Sequence, residues 1–111
     1  MKLEHIAIKT DNIKESIEWY QENLEAEILY EDETWGLVSI HGTKVAFVLD
    51  SMHPPHICFE VTDEKRKELE LVHELFKYHR DGSAYLYMKD NARNTVEFLV
   101  WPENKNVIMS H

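Results

Sequence analysis

His56-Ile57-Cys58-Phe59-Glu60-Val61 is the stretch that decides the fold, because it restates the opening of the chain, His5-Ile6-Ala7-Ile8-Lys9-Thr10. Both runs begin with histidine and alternate in side-chain character. Each leads to an Asp that introduces a helical pattern, Asp11 in the first and Asp63 in the second. The offset is 51 residues, and it holds elsewhere: Lys44-Val45-Ala46-Phe47-Val48-Leu49-Asp50 falls on Thr95-Val96-Glu97-Phe98-Leu99-Val100-Trp101 without a gap. The chain is two copies of one supersecondary unit.

Working outward, residues 3–9 alternate as a strand, with Ile6 and Ile8 on one face and His5, Ala7 and Lys9 on the other. Asp11 or Asn12 suits the N-cap of a helix over 13–24, where Ile13, Ile17, Tyr20 and Leu24 form one apolar stripe. Strands are predicted over 27–32, 35–41 and 44–50, the last two joined by a short loop at His41-Gly42-Thr43. The unit reads β-α-β-β-β. The second copy enters through Pro54-Pro55, which excludes helix there. A strand over 56–62, a charged surface helix from 63 and renewed alternation over 73–79 follow. Asp81-Gly82 signals a hairpin into the strand 84–88, and 95–101 is the last strand. The polar tail 103–111 is expected to fray. The expected organisation is a single α+β domain over 1–111. Its modules span about 1–51 and 52–102, their curled mixed sheets surround a central cavity, and their helices lie outside.

Composition bounds the function. Hydrophobic residues at 43% and charged residues at 30% describe an ordinary globular chain. A net charge of −9 disfavours nucleic acid or an anionic membrane surface as partner. Cys58 is the single cysteine, so no intrachain disulfide forms, and a reducing cytoplasm is the expected location. The opening residues enter a strand pattern with no signal-peptide character, and no apolar run reaches membrane-spanning length.

Three polar residues stand out on strands whose neighbours are apolar. His5 and His56 occupy equivalent places in the repeat, and Glu97 interrupts the final strand. If the sheet curls with its helices outside, all three look into one concavity, and buried carboxylates are rare without a partner. Two imidazoles and a carboxylate suit Fe(II), Mn(II), Ni(II) or Zn(II) and leave positions open for water and substrate. The symmetry-related place of Glu97 holds Ala46, so the set has three ligands.

These residues resemble a known family. The paired β-α-β-β-β units, the opening His5-Ile6-Ala7-Ile8, the helix Ile17-Glu18-Trp19-Tyr20-Gln21-Glu22-Asn23-Leu24 and the closing Asp90-Asn91-Ala92-Arg93-Asn94-Thr95-Val96-Glu97-Phe98 are similar to the vicinal oxygen chelate superfamily. That superfamily includes glyoxalase I, extradiol dioxygenases, fosfomycin-resistance thiol transferases and bleomycin-resistance proteins. The resemblance covers residues 3–101 and implies His5, His56 and Glu97 as metal ligands. Ala46 stands where glyoxalase I carries a fourth ligand, a Glu that is also its base, so the set is closer to those of the thiol transferases and the dioxygenases. Asn91 and Ala92 replace the Pro and Gly of the family's closing loop. The resemblance implies a divalent metal cofactor, a small-molecule substrate bound through adjacent oxygens and a homodimer. The chemistry would be lyase or isomerase, thiol transfer or dioxygenation. The alternative is a metal-free protein of the bleomycin-resistance type that sequesters its ligand.

The remaining polar and aromatic residues have plainer readings. Cys58 reads as a packing residue. Glu97 and Glu60 are the candidate catalytic residues, Glu60 as a general base or else as an ion-pair partner of Lys9. His41, His53, His73 and His79 read as surface or loop residues. Trp35, Tyr85, Tyr87 and Trp101 either line an aromatic pocket or belong to core and dimer contacts.

Overall fold

In the computed structural model, which describes residues 1–102, the first repeat folds as β1 (Lys2–Thr10), α1 (Ile13–Leu24), β2 (Glu27–Glu31), β3 (Trp35–Ile40) and β4 (Thr43–Leu49). The second folds as β5 (His56–Glu60), α2 (Asp63–Val72), β6 (Lys77–Tyr78), β7 (Ala84–Lys89) and β8 (Thr95–Val100). The tail 103–111 lies outside the described residues. The strands form one eight-stranded mixed sheet in the order β2-β3-β4-β1-β5-β8-β7-β6. β1 runs parallel to β4, β5 runs parallel to β8, and the two halves meet through the antiparallel pair β1–β5. The protein is therefore α+β, with the sheet open and β2 and β6 as its edges. Its extents are 44 × 37 × 22 Å. Among the described residues no helix is long and apolar enough to cross a membrane.

The repeat is visible in the register. Ala7 pairs with Ala46, and their equivalents Cys58 and Glu97 pair in the same way. One feature breaks the symmetry. Leu3 faces Phe59 and His5 faces Cys58, so Glu4 is an extra residue bulged out of β1.

Both helices cover the face opposite the histidines. Asn12 caps α1, its Oδ1 accepting from the Glu15 amide at 3.0 Å, and the buried Ile13 and Ile17 pack against Ala26, Val38 and Phe47. Gly36 permits this approach, since a Cβ there would stand 2.7 Å from Ile17 Cδ1 and 3.0 Å from Ile13 Cγ2. Thr62 caps α2 at the Lys65 amide, 3.1 Å away. α2 buries no residue fully. Leu69 is its contact with the cluster of Phe76, Ala84 and Leu86.

The strand expected over 73–79 shortens to Lys77–Tyr78. The hairpin turn at Asp81-Gly82 leaves only two residues opposite β7, Lys77 facing Tyr85 and Tyr78 facing Ala84. Upstream, the Phe76 amide donates to Glu70 Oε2 at 2.9 Å instead of to a strand. Alternation there marks burial of Phe76, not sheet pairing.

Candidate metal centre

His5, Cys58 and Glu97 sit side by side on β1, β5 and β8, because Cys58 is the register partner of both. His56 lies one step along β5, opposite Ala7 and Thr95. Paired residues project from the same face of a sheet, so the three candidate ligands converge. One donor atom from each of His5, His56 and Glu97 lies within 4.8 Å of the others. Nε2 of His5 is 3.2 Å from Nε2 of His56, and Glu97 Oε1 is 3.2 Å from His56 Nε2 and 3.9 Å from His5 Nε2. Glu97 and His56 are buried and His5 is nearly so.

The outer atoms of all three are held. His5 Nδ1 donates to Glu4 Oε1 at 2.8 Å, and Lys44 Nζ donates to Glu4 Oε2 at 2.8 Å. Burial opposes ionisation of Glu4, but those two partners hold it below the usual carboxylate range, so it is an acceptor. The bulge makes this contact, since it turns Glu4 and His5 to the same side of β1. His56 Nδ1 donates to the Pro54 carbonyl at 2.9 Å. Glu97 Oε2 accepts from His79 Nε2 at 3.1 Å.

The proton positions follow. Each Nδ1 faces an atom that only accepts, so each Nδ1 carries hydrogen, and a neutral ring then has a bare lone pair on Nε2. Two such lone pairs and a carboxylate oxygen therefore point at one another. Only a cation between them, a proton or a metal ion, makes that arrangement favourable. Without metal the chain answers with a proton. Burial disfavours charge on His56, yet Glu97 and the Pro54 carbonyl raise its pKa above the ordinary value. Burial likewise works against the Glu97 carboxylate, but hydrogen bonds from His56 and His79 hold it down at about 2.

A divalent ion fits the donor set. Two imidazole nitrogens each about 2.1 Å from one ion, with tetrahedral or octahedral angles between them, stand roughly 3.0–3.4 Å apart. Both rings present Nε2 and hold Nδ1 in a hydrogen bond, the arrangement usual for ligating histidines.

The surroundings divide in two. On one side Ala7, Ala46 and Val48, with Trp35 and Leu37 packed against them, make an apolar flank, and Tyr30 stacks on Trp35. On the other, Tyr85 and Tyr87 meet edge to face, with Tyr87 also edge-on to His56. Burial and the neighbouring Glu97 push the Tyr87 phenol up, so it stays protonated and is a donor. Cys58 is fully buried beneath the site, and burial pushes its thiol up as well.

Glu60 does not join the three. It lies at the far end of β5, opposite Lys2, where it accepts from Trp101 Nε1 at 2.9 Å at the edge of a cleft of about 330 Å³ shared with Lys44. The antiparallel pairing carries Lys9 to the other end of β1, so Lys2, not Lys9, is its register neighbour. Of the histidines read as surface residues, His79 is half-exposed and in a loop, yet it reaches Glu97. Sequence reading missed His79 and Glu4. Only the hairpin signal at Asp81-Gly82 pointed toward the first, and nothing pointed to the bulge that recruits the second.

No family model and no curated protein matches the chain. Solved structures do. A glyoxalase/bleomycin resistance protein/dioxygenase superfamily member from Vibrio splendidus 12B01 superposes with a TM-score of 0.70 at 12% identity, over 89% of this chain and 99% of that one. Methylmalonyl-CoA epimerase from Mycobacterium tuberculosis gives 0.67 at 14%, over 96% and 91%. A single-residue variant of the Streptomyces coelicolor methylmalonyl-CoA epimerase, in complex with 2-nitronate-propionyl-CoA, gives 0.70 at 11%, over 93% and 96%. The chain has the fold of the glyoxalase/bleomycin resistance/dioxygenase superfamily.

Proposed function

We propose that this protein is a metal-dependent enzyme that holds a divalent ion through His5, His56 and Glu97 and acts on a small molecule with two adjacent oxygens. The observation that carries this reading is the convergence of three lone pairs, each with its outer atom fixed by Glu4, Pro54 or His79. When bound, the ion would polarise the two oxygens as a Lewis acid, the chemistry shared by lyase, isomerase, thiol-transfer and dioxygenase reactions on such substrates. The protein's own residues supply the rest. His5 and His56 hold neutral nitrogens in place, and Tyr87 offers a phenol proton to a substrate oxygen. Trp35, Leu37 and Val48 favour an apolar substrate body beside the chelating oxygens. Glu97 serves as ligand and not as base, since its carboxylate is held far below neutrality. Ala46 provides no second carboxylate. Two of the three structural neighbours named above bear the name of an epimerase, which supports an enzymatic use of the fold. The implied partners are a small-molecule substrate and a second copy of the chain, within a cytoplasmic setting suited to its single buried thiol.

Metal analysis of untagged protein tests this. About one divalent ion per chain is expected, lost on His56→Ala. Stoichiometric ligand binding that a chelator leaves unchanged would point instead to a metal-free sequestering protein.

A further inference from the structure

We infer that His79 is a positioning residue for the metal centre, holding Oε2 of Glu97 so that Oε1 alone is presented to the ion. The inference rests on the reading of His5, His56 and Glu97 as ligands. A carboxylate can bind a cation through one oxygen or both, and something must choose. Here the two oxygens have different neighbours. Oε1 lies 3.2 Å from His56 Nε2 and 3.9 Å from His5 Nε2, whereas Oε2 lies 3.1 Å from His79 Nε2. Nε2–H of His79 donates to Oε2, whereas the contacts of Glu97 with His56 and His5 run through Oε1.

The imidazole is held from two sides, although 39% of the side chain is exposed. Its ring lies flat on Tyr85, with centroids 3.9 Å apart and planes 13° from parallel. Its backbone is closed into the hairpin: the His79 amide donates to the Ser83 carbonyl at 2.9 Å, and the Gly82 amide donates to the His79 carbonyl at 3.0 Å. Asp81 Oδ1 in turn accepts from both the amide and the hydroxyl of Ser83, at 2.8 and 2.6 Å. A side chain on a loop would ordinarily sample several rotamers. This one is pinned against a buried carboxylate. Glu4 and the Pro54 carbonyl hold the two histidines in the same manner, so each ligand has one outer partner.

Cobalt(II) titration of the full chain tests the assignment, with visible absorption reporting the coordination. His79→Phe keeps a ring to stack on Tyr85 but has no donor. His79→Gln keeps a donor but cannot stack. The expected result is that the wild-type chain binds cobalt(II), His79→Phe binds roughly 10–100-fold more weakly with an altered spectrum, and His79→Gln recovers most of the affinity. Unfolding of the metal-free variants checks that both fold. If His79→Phe binds within about twofold of wild type with the same spectrum, or if His79→Gln binds more weakly than His79→Phe, the positioning role is overturned while the metal centre stands. If the wild-type chain binds no ion, both the role and the metal centre fall.

Discussion

Ile6 of β1 faces Ile57 of β5 directly across the seam between the two halves of the sheet. These are equivalent positions of the repeat, so the pseudo-twofold axis passes through their pairing. Flanking them, His5 faces Cys58, the equivalent of Ala7, and Ala7 faces His56, the equivalent of His5. Two histidines close to a twofold axis must approach one another. The 3.2 Å separation of their Nε2 atoms is thus a consequence of duplication and register. The carboxylate is where the copies diverged, with Glu97 in one and Ala46 in the other.

Glu4 should matter to the centre though it ligates nothing. It accepts a hydrogen bond from His5 Nδ1 and so fixes the orientation of that ring. Glu4→Gln is expected to weaken metal binding about tenfold, with a small effect on metal-free stability, and competition against a coloured chelator would measure it. Unchanged affinity would remove Glu4 from the centre.

The metal-free chain should lose stability in acid through Glu97. Its folded value of about 2 lies below the ordinary 4.5, so between those values the unfolded state takes up the proton first. The stabilisation is complete above pH 4.5 and is lost as pH falls toward about 2, on the order of 3 kcal/mol in all. His56 has the opposite sign. Its raised pKa gives stability that is present below 6.5 and lost as pH rises through the folded value. Urea unfolding across this range should show both slopes, and Glu97→Gln should flatten both. An unchanged acid slope in that variant would contradict the hydrogen-bonding scheme.

Gly36→Ala should destabilise the first module by about 1–3 kcal/mol, since the new methyl meets the buried Ile17 Cδ1. Ile17→Val removes that atom. The double variant should therefore lose less than the sum of the two single changes when measured by denaturant titration. Simple additivity would mean that the contact does not govern α1 packing.

Cys58 should behave as a packing residue. It is fully buried, and burial together with nearby carboxylates keeps its sulfur protonated. A thiol reagent is expected to label it only at the rate at which the chain unfolds. Fast labelling of the native protein would show an accessible thiol and require a different account of the site.

The convergence of the three candidate ligands was legible beforehand. The fixed repeat offset and the period-2 alternation placed His5, His56 and Glu97 on a common face, because the direction of a side chain along a strand is a local property of the backbone. The same periodicity located α1 at Ile13–Leu24. It misread 73–79, where alternating exposure came from one buried residue, Phe76, in an unpaired segment. Glu60 shared the face of His56 but not its position along it, and alternation carries no information about which end of a neighbouring strand a residue will meet.

The order of residues alone determined the duplication, the polar triplet and the missing fourth carboxylate, since all three depend on spacing within a single chain segment or its copy. Tertiary structure decided the bulge that turns Glu4 toward His5 and the hairpin that delivers His79 to Glu97. Those depend on how separate segments pair. Register between strands is set by the summed packing of both faces, which no single stretch of sequence encodes.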